Sequence, residues 1–103
     1  MSELVTVGTV DELPPGEGMC AEVGGEDIAL FNIDGEFHAI ENTCTHMGGD
    51  LCEGLVSDNI VECPLHSARF DVTTGELAAP PASDPVDTYP VEVDGEAIKV
   101  RVG

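Results

Sequence analysis

Residues 27–41 read DIALFNIDGEFHAIE, two apolar runs on either side of Asp34-Gly35. Asp-Gly between apolar runs marks a tight hairpin, because both positions tolerate the positive φ that a two-residue primed turn demands. The stretch predicts a strand over 27–33 and its antiparallel partner over 37–41. The same device returns near the C-terminus, where a strand over 91–93 turns at Asp94-Gly95 into another over 97–102. Upstream, 19–23 reads as a strand closed by Gly24-Gly25. Short Val- and Ile-rich runs with Gly, Asp and Pro punctuation, and no long 3.6-residue period, make this an all-β chain built on an antiparallel scaffold, a sandwich or barrel of short strands.

Length and charge bound what such a scaffold can do. The chain has 103 residues, 21 of them acidic and three basic, for a formal net charge of −18. This predicts one small domain over 1–103, in which a cofactor would help tie a modest core together. Hydrophobic residues make up 42% of the chain, a globular proportion despite the charge. An acidic surface repels phosphate backbones and anionic membranes, so neither nucleic acid nor membrane is expected as a partner. No apolar run reaches the roughly 18 residues of a membrane span. The start, MSELVTVGTVDEL, has neither a basic nor an apolar leader region, which points to the cytoplasm. Only Arg69, Lys99 and Arg101 are basic, and the carboxylates are spread over the whole chain. An acidic docking face would gather the charge in one place. An even coat with almost no lysine fits a halophilic protein, whose self-repulsion salt screens.

Between the hairpins lies a segment of different character, about 42–85, with three of the four cysteines and two of the three histidines. Strands are expected there over 60–63 and 69–72, with a turn at Thr74-Gly75. Two pairs stand out, Cys44-Thr45-His46 and Cys63-Pro64-Leu65-His66, with sixteen residues between His46 and Cys63. Each offers one thiolate and one imidazole, ligands suited to iron or zinc. A structural zinc site usually groups Cys with Cys and His with His. Alternation within each loop instead suits a binuclear cluster in which one iron takes both cysteines and the other both histidines. A zinc-stabilised interaction module is the lesser alternative.

On these residues the sequence resembles the Rieske-type [2Fe-2S] ferredoxins. Cys44-Thr45-His46 with Gly48, then Cys63-Pro64-Leu65-His66 and Arg69-Phe70-Asp71, match that family's two cluster loops. The Gly75 turn and Tyr89-Pro90-Val91 match its closing strands. The resemblance implies a Rieske-like scaffold with an inserted loop-rich cluster-binding subdomain. It also implies one [2Fe-2S] cluster, with Cys44 and Cys63 on the buried iron and His46 and His66 on the outer one. An oxidised core of two ferric ions and two sulfides is a dication that two thiolates neutralise, so an electron is accepted more easily than in four-cysteine ferredoxins. Respiratory Rieske proteins add a disulfide between the loops and hydroxyls that hydrogen-bond sulfur. The matching positions here are Gly49 and Leu65, and Ala68 and Phe70, which supply neither. The potential is therefore expected near the low end of roughly −150 to +300 mV. It is expected to fall at high pH, as an imidazole on ferric iron loses its proton.

The function implied is a soluble one-electron carrier, not an enzyme. It would pass electrons from a flavin-containing NAD(P)H reductase to a terminal Rieske non-haem oxygenase, working as a monomer. The alternative is the Rieske-like small subunit of an NAD(P)H nitrite reductase, docked on its large subunit. An oxygenase in its own right is out, because a mononuclear iron needs two further histidines and only His38 remains. His38 reads as an ordinary strand residue, Cys20 as a small buried hydrophobe and Cys52 as an unliganded loop cysteine. A Cys20–Cys52 disulfide is open on sequence grounds, but a cytosolic setting argues against it. By resemblance, Pro80-Pro81 would cover the cluster; Met47, which follows His46, is read as part of an apolar docking rim.

Overall fold

A computed structural model describes residues 3–42, 50–64, 68–79 and 85–102. The strands are β1 (Glu3–Thr9), β2 (Gly18–Val23), β3 (Glu26–Ile33), β4 (Glu36–Glu41), β5 (Leu55–Ser57), β6 (Ile60–Glu62), β7 (Arg69–Asp71), β8 (Leu77–Ala79), β9 (Thr88–Tyr89), β10 (Val91–Asp94) and β11 (Ala97–Val102). Short 3-10 turns lie at Val10–Glu12 and Leu51–Glu53. Three antiparallel sheets result, ordered β1-β11-β10, β2-β3-β4-β9 and β5-β6-β7-β8. The third lies wholly within the segment that holds the Cys and His pairs.

The hairpin read from 27–41 is β3–β4, with Ile33 opposite Glu36. Both turn residues take positive φ, 53° at Asp34 and 93° at Gly35, as the primed turn requires. Asn32 locks it from within: its side-chain oxygen accepts the Gly35 N–H at 2.8 Å, and its amide donates to the Leu13 carbonyl at 2.8 Å.

The run Ile28-Ala29-Leu30-Phe31 is continuously apolar because β3 is covered on both faces. Ile28 and Leu30 pack with Leu13, Val23, Ile98 and Val100, under the sheet of β1, β10 and β11. Ala29 and Phe31 face the other way, into a cluster with Leu51, Val61, Cys63, Ala68 and Phe70. Each of the four β3 residues is fully buried. One strand thus joins two cores, and the second core is the floor of the Cys/His segment.

Two cysteine readings are corrected. Cys20 lies in the expected strand, but it is exposed. It is bonded to Cys52, with 5.1 Å between the Cα atoms across 32 positions of sequence. Cys52 is no spare loop thiol: it sits buried in the 3-10 turn Leu51–Glu53. Sequence alone could not place β2 beside that turn, and the compartment argument pointed the wrong way.

The three basic side chains each meet a carboxylate, Arg69 with Glu62 at 3.1 Å, Lys99 with Asp94 at 3.4 Å and Arg101 with Glu92 at 3.3 Å. Such surface pairs contribute little, and a net charge of −18 remains to repel itself. The melting temperature is expected to rise by roughly 10 °C between about 0.1 M and about 2 M KCl. A scanning-calorimetry series that stays flat, or falls, would reject this reading of the acidic coat.

Tyr89, on β9, carries a second consequence of the acidic surroundings. Burial, a hydrogen bond from its hydroxyl to Glu26, and the charges of Glu26, Glu41 and Asp87 push its pKa from 10.0 up to about 12. The neutral phenol therefore stabilises the fold below its unfolded pKa, and that contribution is lost as pH rises toward the folded value. The chain has one tyrosine and no tryptophan. Phenolate absorbance near 295 nm in iron-free protein should thus titrate at about 12 when folded and near 10 in denaturant.

Candidate metal centre

The Cys and His pairs fall in two stretches of sequence whose flanking residues are described. The first leaves β4 at Asn42 and returns at Asp50. Asn42 is 6% exposed and closes this stem. Its carbonyl accepts the Leu51 N–H at 2.8 Å, and its side-chain oxygen accepts the Cys52 N–H at 2.8 Å. Its amide donates to the Asp50 carboxylate at 2.9 Å, and its backbone N–H donates to the Asp27 carbonyl at 3.0 Å. One asparagine thus joins the end of β4 to Asp50, Leu51 and Cys52 and ties them to β3.

The second loop joins β6 to β7 and is closed where the Cys63 N–H donates to the Ala68 carbonyl at 2.7 Å. Cys63 itself is 1% exposed. Leu51 and Cys52 from the first stem share one buried cluster with Cys63, Ala68 and Phe70 from the second. The core therefore brings the two loop stems side by side. Cys63 is the candidate ligand whose side chain is described. Cys44, His46 and His66 lie outside the described residues, as do Met47, Gly48, Gly49, Leu65, Pro80 and Pro81.

The donor chemistry at Cys63 fits an iron–sulfur group. Cys63 is buried beside Phe70, Val61 and Ala68, and cysteine sulfur is the donor type that holds iron in such clusters. The backbone around the second loop is also stiffened. Asp71, ending β7, accepts the Thr73 N–H at 2.9 Å and the Asn59 amide at 2.9 Å. Burial works against its charge, but hydrogen bonds from Thr73, Asn59 and Thr74 outweigh it and hold the carboxyl below its ordinary pKa. This support is present above the unfolded pKa and lost as pH falls through the folded one.

His38 lies on β4, as expected of a strand residue. Its Nε2 is buried with no hydrogen-bond partner among the described residues, the Glu36 carboxylate being 3.7 Å away. Sequence reasoning missed Asn42. Its signal was its place, a polar residue that ends an apolar strand two positions before Cys44.

A scaffold of short antiparallel strands, with the described ends of both Cys/His stretches gathered in one buried cluster around Cys63, is an architecture that suits an iron–sulfur group. The model of the Rieske [2Fe-2S] domain matches residues 3–90, and the chain belongs to that family. It carries the family's cofactor, one Rieske-type [2Fe-2S] cluster. It is 47% identical over 103 residues to the 3-phenylpropionate/cinnamic acid dioxygenase ferredoxin subunit of Photorhabdus laumondii, covering 99% of this chain and 96% of that protein. The ferredoxin of carbazole 1,9a-dioxygenase from Nocardioides aromaticivorans IC177 superposes with a TM-score of 0.91 at 38% identity, over 94% of this chain and 95% of that one. The ferredoxin seen in complex with the oxygenase of carbazole 1,9a-dioxygenase gives a TM-score of 0.89 at 32% identity, over 94% and 91%. A structure described as the NADH-dependent nitrite reductase small subunit of Mycobacterium tuberculosis gives 0.89 at 27% identity, over 100% and 97%.

Proposed function

We propose that this protein is the electron-carrying component of an oxygenase system, not a catalyst. It takes single electrons from a flavin-containing NAD(P)H reductase and delivers them to a terminal Rieske non-haem oxygenase. The observation that carries this reading is the 47% identity, over 99% of the chain, with a dioxygenase ferredoxin subunit. When bound, the [2Fe-2S] cluster supplies a centre that accepts and releases one electron at a time. Cys44 and Cys63 hold one iron through sulfur, and His46 and His66 hold the other through imidazole. The stretch 42–85 is the cluster-binding part of a chain that works as one domain over 1–103. The carrier acts in the cytoplasm beside the NAD(P)H pool, as a monomer that meets its two partners in turn.

Its residues set a low potential. Ala68 and Phe70 are both fully buried beside Cys63, and neither has a hydroxyl to donate to sulfur. The reduced state is therefore less stabilised than in a site with such donors. The midpoint is expected below zero, near roughly −150 mV, and voltammetry showing a value well above zero would overturn this.

Reduction by NADH through a flavin reductase, followed by reoxidation on adding a terminal oxygenase, tests the carrier role directly. The protein should be red-brown as isolated and give a rhombic EPR signal after reduction with dithionite. The nitrite reductase reading has its support in the structural neighbour at 27% identity. Stable co-purification with a large flavin- and sirohaem-containing subunit, instead of turnover with an oxygenase, would favour that reading.

A further inference from the structure

We propose that Cys20 and Cys52 form a thiol-redox site that governs how firmly the stem at Asn42, Leu51 and Cys52 is held, and hence how long the cluster is retained. The inference rests on the reading of 43–49 as a ligand loop. Its basis is the position of the bond. Cys52 lies in the turn that receives the chain from that loop, and its N–H is held by Asn42 at the loop's other end. Cys20 lies on β2, which pairs with β3 through Cys20 opposite Ala29. The non-covalent clamp at Asn42 ties the stem to β3, while the disulfide ties it to β2.

Three features make this bond responsive. Cys20 is exposed whereas Cys52 is 7% exposed, so an external thiol reaches the pair from the Cys20 side. Reduction leaves the Asn42 hydrogen bonds in place, so Cys52 stays near Cys20 and the bond re-forms without refolding. A cytoplasmic carrier also meets low-molecular-weight thiols, and disulfides in that compartment are mostly transient or redox-sensing. The step is a two-electron exchange. A thiolate attacks the Cys20 sulfur and expels the Cys52 thiolate. A second thiol then displaces Cys20, leaving both protein thiols reduced and the two external thiols joined as their own disulfide. The cluster takes no part in this exchange.

With the covalent tie gone, the stem is held among the described residues by hydrogen bonds, chiefly those of Asn42, and by the burial of Leu51 and Cys52. Local opening of the stem at Asn42, Leu51 and Cys52 becomes more frequent, and with it loss of the cluster to a chelator.

The test uses the full-length, cluster-loaded protein in high salt, equilibrated anaerobically with reduced and oxidised glutathione at a series of ratios. Native alkylation and intact mass count the thiols, while loss of visible absorbance in excess chelator gives cluster lifetime. Cys20 and Cys52 should become alkylatable together in one two-electron transition. The bleaching rate should rise over the same transition, on the order of tenfold. Amide exchange at Leu51 and Cys52 should accelerate in parallel. A Cys20→Ser/Cys52→Ser double variant should bleach at the reduced-protein rate whatever the glutathione ratio. A coloured protein whose bleaching ignores the ratio, or whose Cys20 is alkylated in air-oxidised samples, would overturn the proposal. A protein that binds no iron at all would instead sink the ligand-loop reading beneath it.

Discussion

Replacing Cys63 with serine is expected to abolish cluster binding, leaving a colourless protein with less than about a tenth of the iron and sulfide of the parent. Cys63 is 1% exposed and closes the second loop through its own N–H, so its sulfur is fixed in place by the buried cluster around it. A serine hydroxyl is a poorer, harder ligand for iron, and it does not ionise readily in an apolar cluster. The variant also buries a hydroxyl beside Phe70 and Val61, which costs about 1–3 kcal/mol if the group finds no partner. Cys63→Ala separates the two effects: it should lose iron as completely while keeping the apolar packing. Iron and sulfide assays, with circular dichroism to confirm the β scaffold, read both. Retention of a full cluster in either variant would mean that Cys63 is not a ligand.

Much of this architecture was legible because the scaffold obeys local rules. The Asp34-Gly35 and Asp94-Gly95 turns announce themselves by residue type, and Ala97–Val102 is the strand read from sequence. Boundaries elsewhere moved by a residue or so, with β2 starting at Gly18, β3 at Glu26 and β4 at Glu36, and β6 and β7 ending one short of the reading. What escaped depends on partners distant in sequence. β1, which no reading singled out, is a strand because β11 pairs with it across nearly the whole chain, Glu3 opposite Val102. β5, β8 and β9 have two or three residues each, too few for any period to show. The Cys20–Cys52 disulfide could be left open but not decided for the same reason, since the approach of the Leu51–Glu53 turn to β2 brings the two cysteines within bonding reach. In the candidate site, the Cys and His pairs were plain from spacing, and Ala68 and Phe70 were noted for what they lack. The clamp made by Asn42 needed the fold to be seen.

Gly75→Ala is expected to destabilise the protein by on the order of 3 kcal/mol, a large share of the roughly 5–15 kcal/mol available to a small domain. Gly75 has φ 79°, where a side chain costs about 1 kcal/mol or somewhat more. Space decides the rest. A Cβ there would stand 2.2 Å from the Val86 carbonyl oxygen and 3.0 Å from Thr88 Cγ2. The first obstacle is backbone and cannot rotate away, and Val86 is fixed by donating its N–H to the Gly75 carbonyl at 2.9 Å. Gly75 also donates to the Asp71 carbonyl at 2.7 Å, so displacement would pull on the turn that follows β7. Val86 and Val72 sit in the same buried cluster as Cys63, which carries the disturbance to the floor of the metal centre. Gly95→Ala supplies the comparison, because Gly95 shares the positive φ, at 63°, yet nothing lies within 4 Å of its Cβ position. It should lose only about 1 kcal/mol, the conformational cost alone. Urea unfolding of both variants in high salt measures the difference. Equal losses would mean that Val86 yields, and that the packing between the β7–β8 turn and the segment leading into β9 does not hold the second core together.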